Sequence, residues 1–99
     1  MLKADQQAIF YHTLASIPAG RYTTYGALAK LCQVHVRQIL AWLKKLPDDT
    51  DLPWHRVINS QHKISSHPNC HLQYELLKDE GLIPDQRSKY AKDWLWPSH

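Results

Sequence analysis

The feature that most constrains the fold is a run of apolar residues at helical spacing in the first half of the chain. They recur at intervals of three and four positions, which places them on one face of a helix predicted from His35 to Leu46: Val36, Ile39, Leu40, Leu43 and Leu46. The opposite face holds small and basic residues: Arg37, Ala41, Lys44 and Lys45. This helix is expected to pack on a core through one side and to present a basic side to solvent.

A shorter helix is predicted just before it, from Tyr25 to Cys32, with Thr23 or Thr24 as its cap. Its inward residues are expected to be Leu28, Ala29, Leu31 and Cys32. A short helix, a brief turn and a longer helix with a basic outer face form the helix-turn-helix pattern. The alternative is a three-helix bundle with a solvated basic face, and periodicity alone favours that simpler interpretation.

The flanking segments predict two more helices and a hairpin. The first helix is expected from Asp5, its cap, to about Ser16, with an apolar stripe of Ile9, Phe10, Leu14 and Ile17. Residues 56–64 predict a short β-hairpin with its turn at residues 60–62, which would form a wing. The last helix is expected to begin at Pro68 or Asn69, to end before Gly81, and to turn three leucines inward: Leu72, Leu76 and Leu77.

Length and charge indicate the class of protein. A chain of 99 residues supports one domain with a modest core. It has no apolar stretch long enough to span a membrane and no secretion signal, so a cytoplasmic protein is expected, associated with the nucleoid if the host is bacterial. Cys32 and Cys70 are then expected to be free thiols. Residues 21–63 hold seven Lys and Arg against three Asp, so a polyanion should meet this part of the chain.

Neither a metal nor another cofactor is predicted. The nearest candidate metal ligands have a spacing that matches no usual zinc pattern: His62, His67, Cys70 and His71. The chain holds only three glycines and has no phosphate-binding loop.

Three separated motifs carry the most specific signal. They are IPAGRYTTYG at residues 17–26, PWHRVI at residues 53–58 and LLKDEG at residues 76–81. In this order they resemble the C-terminal, DNA-binding domain of the O6-alkylguanine-DNA alkyltransferases, and the basic helix between the first two matches that family's recognition helix. Trp54 stands at the position of the acceptor cysteine in the family's Pro-Cys-His-Arg-Val motif. The chain therefore looks like an alkyltransferase-like protein.

The resemblance covers about residues 5–83 and implies a mainly α fold, a winged helix-turn-helix DNA-binding domain with a short β-hairpin wing. Residues 1–99 would form a single domain, with 84–99 as a C-terminal tail. The aromatic residues of this tail are expected to dock on the core: Tyr90, Trp94, Leu95 and Trp96.

The replacement of cysteine by Trp54 removes the nucleophile that alkyl transfer requires, because only a thiolate attacks efficiently. The resemblance therefore implies a protein that binds O6-alkylguanine in DNA without transferring the alkyl group, and that is not an enzyme. His55 and Glu80, which serve the cysteine in the enzyme, would be left to structural hydrogen bonding beneath the pocket. Two other functions stay open: a divergent alkyltransferase that uses Cys32 or Cys70, and a winged-helix transcription regulator.

Reading a base in a duplex requires its extrusion from the stack. The resemblance implies that Tyr25 rotates the target nucleotide, that Arg37 replaces it in the stack, and that Trp54 faces the extruded base. The alternatives are a phosphate contact for Arg37 and core packing for the two aromatic residues. The residues that the resemblance implies at the DNA or the lesion are Thr24, Tyr25, Gly26, Arg37, Ala41, Lys44, Pro53, Trp54, Val57, Ser65, Ser66 and His67.

Between Lys63 and Lys78 the chain has no Lys or Arg, although by resemblance this segment closes over the extruded base. His67 is then the best-placed cation, and a histidinium stacked on guanine would add a cation–π term. The alternative is a solvated loop residue. The implied partners are double-stranded DNA containing O6-alkylguanine and the damage-recognition ATPase of nucleotide excision repair, with the protein acting as a monomer.

Overall fold

The computed structural model describes residues 6–47 and 49–97, and it is mainly helical, as predicted. Its elements are α1 (Gln6–Ala15), β1 (Thr23–Thr24), α2 (Tyr25–Cys32), α3 (Val36–Lys45), β2 (Val57–Ile58) and α4 (Cys70–Asp79), with 3₁₀ turns at Trp54–Arg56 and Lys92–Trp94. Asp5, the predicted cap of the first helix, lies outside the described residues. Over the described ranges, no helix has the length and apolarity needed to cross a bilayer.

Helices α2 and α3 form the predicted helix-turn-helix, and side chains fix both ends of the turn. The Thr24 hydroxyl accepts a hydrogen bond from the N–H of Ala27 at 3.1 Å and begins α2. Gln33 ends it in the left-handed region, with φ of 58°. His35 then caps α3, because its Nδ1 accepts a hydrogen bond from the N–H of Arg37 at 3.1 Å. The short connection holds the two helices against each other.

The principal core joins α1, α2, α3 and β2 through Phe10, Leu14, Ile17, Leu28, Ala29, Cys32, Ile39, Trp42 and Val57. Trp42 was not among the residues that the apolar pattern assigned to this face. Its ring centroid lies 5.2 Å from that of Phe10, so the indole takes the position against α1. Of the residues predicted on the apolar face of α3, only Ile39 is buried. The others are half-buried, and the three leucines among them line a cavity: Leu40, Leu43 and Leu46.

Three apolar residues assigned to inward stripes are exposed, so this part of the prediction was wrong. Ile9, Leu31 and Leu72 have exposures of 36%, 45% and 50%. In each case the next residue along the helix is the buried one: Phe10, Cys32 and Gln73. Neighbouring side chains on a helix point about 100° apart, so a stripe that includes two adjacent residues, such as Ile9 with Phe10 or Leu31 with Cys32, places one of them outside the buried face.

The predicted β-hairpin is not formed. β2 pairs with β1 in parallel, with Thr23 opposite Val57, and not with the segment that follows it. Residues 59–63 turn back on themselves through two backbone hydrogen bonds of 3.0 Å, from the N–H of Asn59 to the carbonyl of Lys63 and from the N–H of His62 to the carbonyl of Asn59. The Asn59 side chain accepts the N–H groups of Gln61 and Lys63, each at 3.0 Å. These local bonds close a loop, whereas a hairpin would need a second strand beside β2.

The aromatic tail docks on the domain, as predicted. The Tyr22 N–H donates to the Trp94 carbonyl at 3.0 Å, and the Trp96 N–H donates to the Tyr22 carbonyl at 2.7 Å. This parallel bridge sets the tail beside the residue that precedes β1. A second core cluster forms there from Tyr22, Ile58, Leu77, Leu82 and Tyr90. Residues 94–96 thus continue the small sheet on the side opposite β2.

The last helix begins and ends where the sequence predicts. Asn69 is the residue before α4, and Glu80 follows its last turn. Gly81 comes next with φ of 87°, a conformation that favours glycine. The resulting turn keeps Glu80 beneath the Trp54–Arg56 turn.

Replacing Gln33 with glycine is expected to raise the free energy of unfolding by about 0.5–1 kcal/mol, because a residue with a Cβ is strained in the left-handed region. The matched control is Gln38→Gly, at an exposed helical position in α3. That change should lower the free energy of unfolding by about 0.5–1 kcal/mol. Urea denaturation measures both. Destabilisation by both substitutions would contradict the role of Gln33 as the strained end of α2.

Candidate nucleic-acid interface

A cavity of about 590 Å³ opens between α3, the segment around Trp54 and the loop that leads into α4. Its α3 side is apolar, and the facing side is aromatic and polar. Seven of the residues that the sequence assigned to DNA or lesion contact line it: Tyr25, Lys44, Trp54, Val57, Ser65, Ser66 and His67. Further lining residues are Leu40, Leu43, Leu46, Pro47, Thr50, Pro68, Asn69, Leu72 and Gln73. The volume lies in the range of small-molecule binding sites.

Trp54 stands at the cavity and not in the core. It opens the 3₁₀ turn Trp54–Arg56 after the buried Pro53, and it is half-buried. Its ring meets those of His55 and His67 edge to face, at centroid distances of 6.1 and 6.5 Å. Neighbours on two sides therefore hold the indole, while part of it borders open space.

Tyr25 and the adjacent residues lie at the other side of the cavity, at the start of α2. The Tyr25 hydroxyl donates to Ser65 Oγ at 3.3 Å, which joins α2 to the loop before α4. Thr24 is buried as the cap of α2 and does not line the cavity. At Gly26 an added Cβ would meet no atom within 4 Å, so the backbone there is open to approach from outside.

The basic side of α3 leads from the cavity to the start of the helix. Lys44 lines the cavity, Ala41 is half-buried one turn earlier, and Arg37 is exposed in the first turn. These three residues fall at intervals of four and three and therefore share one face. Arg37 lies outside the cavity lining, so it is available to a ligand that extends along α3.

Beneath the Trp54–Arg56 turn, three charged or chargeable side chains converge. The Glu80 carboxylate accepts from Arg56 Nη2 at 2.7 Å and from Arg56 Nε at 3.0 Å, and it lies 2.7 Å from His55 Nε2. The N–H of Gly20 donates a further bond at 3.0 Å. Another guanidinium nitrogen, Arg56 Nη1, donates to the Ile17 carbonyl at 2.7 Å. This network ties the motifs at 17–26, 53–58 and 76–81 together.

The charge state of Glu80 follows from these contacts. Burial alone would raise the pKa of its carboxyl, but the hydrogen bonds from Arg56, His55 and Gly20 outweigh burial and lower the pKa to about 2. The side chains of Arg56 and Glu80 are 17% and 14% exposed, so water screens the pair only in part. Glu80 is a carboxylate at neutral pH and stabilises the turn that carries Trp54.

His67 is half-buried, and both of its ring nitrogens are engaged, so it is not a solvated loop residue. Its Nδ1 accepts the N–H of Asn69 at 3.1 Å, and its Nε2 lies 2.8 Å from Gln73 Oε1. A nitrogen that accepts a backbone N–H carries no proton. The ring is therefore neutral in this arrangement, and the predicted cation–π contact would require the Asn69 hydrogen bond to break.

Among the lining residues that were not predicted, Gln73 makes the most hydrogen bonds to its neighbours in the site. It is 2% exposed, and its amide Nε2 donates to the carbonyls of His55 and Val57 at 3.1 and 2.9 Å. The available signal was its position on α4, four residues before the buried Leu77 and thus on the same helical face. A glutamine on an apolar stripe indicates a buried hydrogen-bonding role.

The two cysteines differ in burial. Cys32 is 2% exposed, and burial raises the pKa of its thiol despite a hydrogen bond with Thr13. Cys70 is half-buried at the start of α4. Neither lines the cavity described above. Over residues 6–47 and 49–97, no three His, Cys, Asp or Glu side chains lie close enough to hold a metal ion.

Comparison with known proteins finds relatives over most of this chain. A "DNA base-flipping protein" of Escherichia coli is 41% identical over 76 residues, which are 74% of this chain but only 59% of that protein. The chain thus spans less than two thirds of the length of this relative. A protein of the same name from Vibrio parahaemolyticus is 36% identical over 90 residues, 87% of this chain and 90% of that protein.

Solved structures share the fold. A crystal structure of Schizosaccharomyces pombe Atl1 in complex with damaged DNA containing O6-carboxymethylguanine superposes with a TM-score of 0.82 at 28% identity, covering 99% of this chain and 100% of that one. The Mycobacterium tuberculosis OGT in complex with DNA gives a TM-score of 0.68 at 24% identity, over 80% and 51% of the two chains, which shows a common fold. The model of one family, "6-O-methylguanine DNA methyltransferase, DNA binding domain", matches residues 5–82. This chain belongs to that family.

Proposed function

We propose that this protein binds double-stranded DNA containing O6-alkylguanine, holds the damaged base outside the helix in the cavity beside Trp54, and transfers no alkyl group. The observation that carries the proposal is an aromatic cavity wall at the acceptor position, directly above an intact His55–Glu80 pair 2.7 Å apart. The supporting machinery of the enzyme is present, and an indole replaces its nucleophile. The names and complexes of the relatives agree with this proposal.

In this proposal the cavity holds the extruded base, and the basic face of α3 contacts the duplex. Aromatic surfaces stack on bases of any sequence, for about 1–3 kcal/mol per base, so Trp54 stabilises the extruded base. Pro53 and Val57 support this wall from below, while Ser65, Ser66 and His67 border the opening. Arg37 stacks in the gap that the base leaves, because a planar guanidinium both stacks and hydrogen-bonds. Thr24, Tyr25, Gly26, Ala41 and Lys44 approach the DNA backbone.

The test of binding without transfer is the intact mass of the protein after incubation with excess duplex containing O6-methylguanine. No gain of mass is expected, because Cys32 is buried with a raised pKa and neither cysteine lines the cavity. The control is the same duplex with guanine. A protein that gains the mass of one methyl group would be an alkyltransferase, and the binder proposal would be wrong.

Flipping is tested by Tyr25→Ala and Arg37→Ala, with Lys45→Ala as the matched control. Lys45 is an exposed cation at the end of the same helix. The control should weaken binding to damaged and undamaged duplexes equally, and the affinity should depend less steeply on salt concentration. The two test substitutions should weaken binding to the damaged duplex by about 1–2 kcal/mol more than binding to the undamaged one, because they act on the unstacked state. Equal losses on both duplexes for all three variants would instead fit a plain DNA-binding regulator.

A binder that does not repair its lesion affects repair only through other proteins. We therefore propose that the bound monomer, working in the cytoplasm or on the bacterial nucleoid, marks the site for the damage-recognition ATPase of nucleotide excision repair. Reconstituted excision on a duplex with one O6-methylguanine is the experiment. Incision should increase when this protein is added, and Trp54→Ala, which should bind the lesion poorly, should give a smaller increase.

A further inference from the structure

The side chain of Gln73 links three separate segments at the wall of the cavity. Its Nε2 donates to the carbonyls of His55 and Val57 at 3.1 and 2.9 Å, and its Oε1 lies 2.8 Å from His67 Nε2. The first two bonds hold the turn that begins with Trp54, and the third holds the loop that leads into α4. A single buried amide thus connects the two segments whose rings, Trp54 and His67, meet edge to face at the cavity wall.

Backbone groups at both ends fix the direction of these hydrogen bonds. Carbonyl oxygens only accept, so the Gln73 nitrogen must face His55 and Val57. At the other end the N–H of Asn69 can only donate, so His67 Nδ1 is the acceptor and Nε2 carries the proton. Gln73 Oε1 is then the acceptor for that proton. No rotation of the Gln73 amide and no other tautomer of His67 satisfies all four contacts.

The arrangement of this ring pair depends on these bonds. The ring centroids of Trp54 and His67 lie 6.5 Å apart, the ring planes form an angle of 76°, and both residues border the cavity. His67 is held otherwise only by the Asn69 N–H and by this ring contact among the interactions of its side chain that the structure describes. A loop side chain ordered before binding saves the free energy of ordering it in the complex.

We propose that Gln73 is a positioning residue: it sets the edge-to-face arrangement of Trp54 and the neutral ring of His67 at the cavity wall, and thereby the preference for damaged over undamaged duplex. This inference rests on the proposed lesion binding. Gln73 need not touch the DNA, because it acts through the two rings. The relevant quantity is therefore the ratio of the two affinities, since general DNA binding by the basic face of α3 is independent of this ring pair.

The test compares Gln73→Met with Leu77→Val on duplexes containing guanine or O6-methylguanine. Methionine keeps the length of the side chain and makes none of the three hydrogen bonds. Leu77 is a fully buried residue one turn further along α4 that does not line the cavity, so its variant controls for a weakened core. We expect the affinity ratio to fall about tenfold for Gln73→Met, the scale of leaving one or two side chains unordered, and to stay at the wild-type value for Leu77→Val.

A second measurement separates positioning from a merely structural role. Long-range ¹H–¹⁵N spectra of the histidine rings should give the Nε2-protonated pattern for His67 in the wild type. In Gln73→Met this pattern should be partly lost, because a ring released from Gln73 can also leave the Asn69 N–H. His67→Phe, which keeps a ring and breaks only the bond to Gln73 and the bond to Asn69, should lower the affinity ratio as Gln73→Met does. This variant alters a half-buried loop residue and provides the test if Gln73→Met does not fold.

The outcomes are distinct. A wild-type protein without any preference for the damaged duplex would refute the proposed function itself. A wild-type preference that Gln73→Met or His67→Phe retains in full would overturn the role of Gln73 and leave the proposed function standing. An equal fall in the ratio for Leu77→Val would assign the effect to core stability and would also overturn the inference.

Discussion

Replacing Glu80 with glutamine should lower the free energy of unfolding by about 3 kcal/mol, near the lower end of the cost of removing one partner from a buried ion pair. The carboxylate accepts hydrogen bonds from Arg56, His55 and Gly20, and its substitution leaves the Arg56 guanidinium without its counter-charge. The matched control is Glu75→Gln, an exposed position on α4, the helix that Glu80 follows, which should change stability by less than about 0.5 kcal/mol. Urea denaturation at neutral pH measures both variants.

The same carboxylate predicts how stability depends on pH. Its pKa is lowered from an ordinary value of 4.5 to about 2 in the folded protein, so folding favours the ionised form. The stability contributed by Glu80 is therefore fully present above about pH 4.5 and is lost as the pH falls toward about 2. Glu80→Gln should lack this part of the acid dependence. If wild type and Glu80→Gln lose stability in parallel across that window, the ion pair does not hold the turn.

Replacing Trp54 with alanine should weaken binding of a duplex containing O6-methylguanine by about 1–3 kcal/mol, the value of one base–aromatic stacking contact. Undamaged duplex should bind with nearly unchanged affinity, because Trp54 lies at the cavity and the basic residues of α3 are intact. Fluorescence anisotropy with labelled duplexes at fixed ionic strength gives both constants.

Trp54→Phe is the control for this prediction, since it keeps an aromatic face of smaller area. Its loss should be smaller than that of the alanine variant. Equal affinity of Trp54→Ala and wild type for the damaged duplex would mean that the extruded base does not stack on the indole. A similar loss on both duplexes would indicate a general disturbance of the 3₁₀ turn, which thermal denaturation of the variant would detect.

Local signals in the sequence were sufficient to predict the helix-turn-helix and the end of the last helix. Thr24 caps α2 and Gly81 follows α4 because capping depends on residues within one turn of the helix end. The same holds for the change of direction at Gln33. The family motifs at residues 17–26, 53–58 and 76–81 then indicated which segments meet, and the Glu80 network joins all three.

The errors concern contacts between distant residues. The pairing of Thr23 with Val57 joins positions separated by the whole of α2 and α3, and no local pattern distinguishes it from a hairpin beyond Val57. Trp42 occupies the core position that was predicted for the leucines of α3, because its indole packs against Phe10. Gln73 was missed for a related reason: its partners are backbone carbonyls, which have no signature in a sequence.

The hydrogen bonds between Tyr22 and residues 94–96 limit where the polypeptide can be truncated without uncovering its core. The strand that contains Tyr22 and β1 has β2 on one side and the tail on the other, so it is the central strand. A polypeptide ending at residue 82, where the family match stops, would turn that central strand into an edge and uncover the buried Tyr22 ring. Recombinant versions trimmed to the recognisable family boundary should therefore expose an aggregation-prone surface. The smallest unit that folds independently should therefore extend beyond the residues that the family model matches.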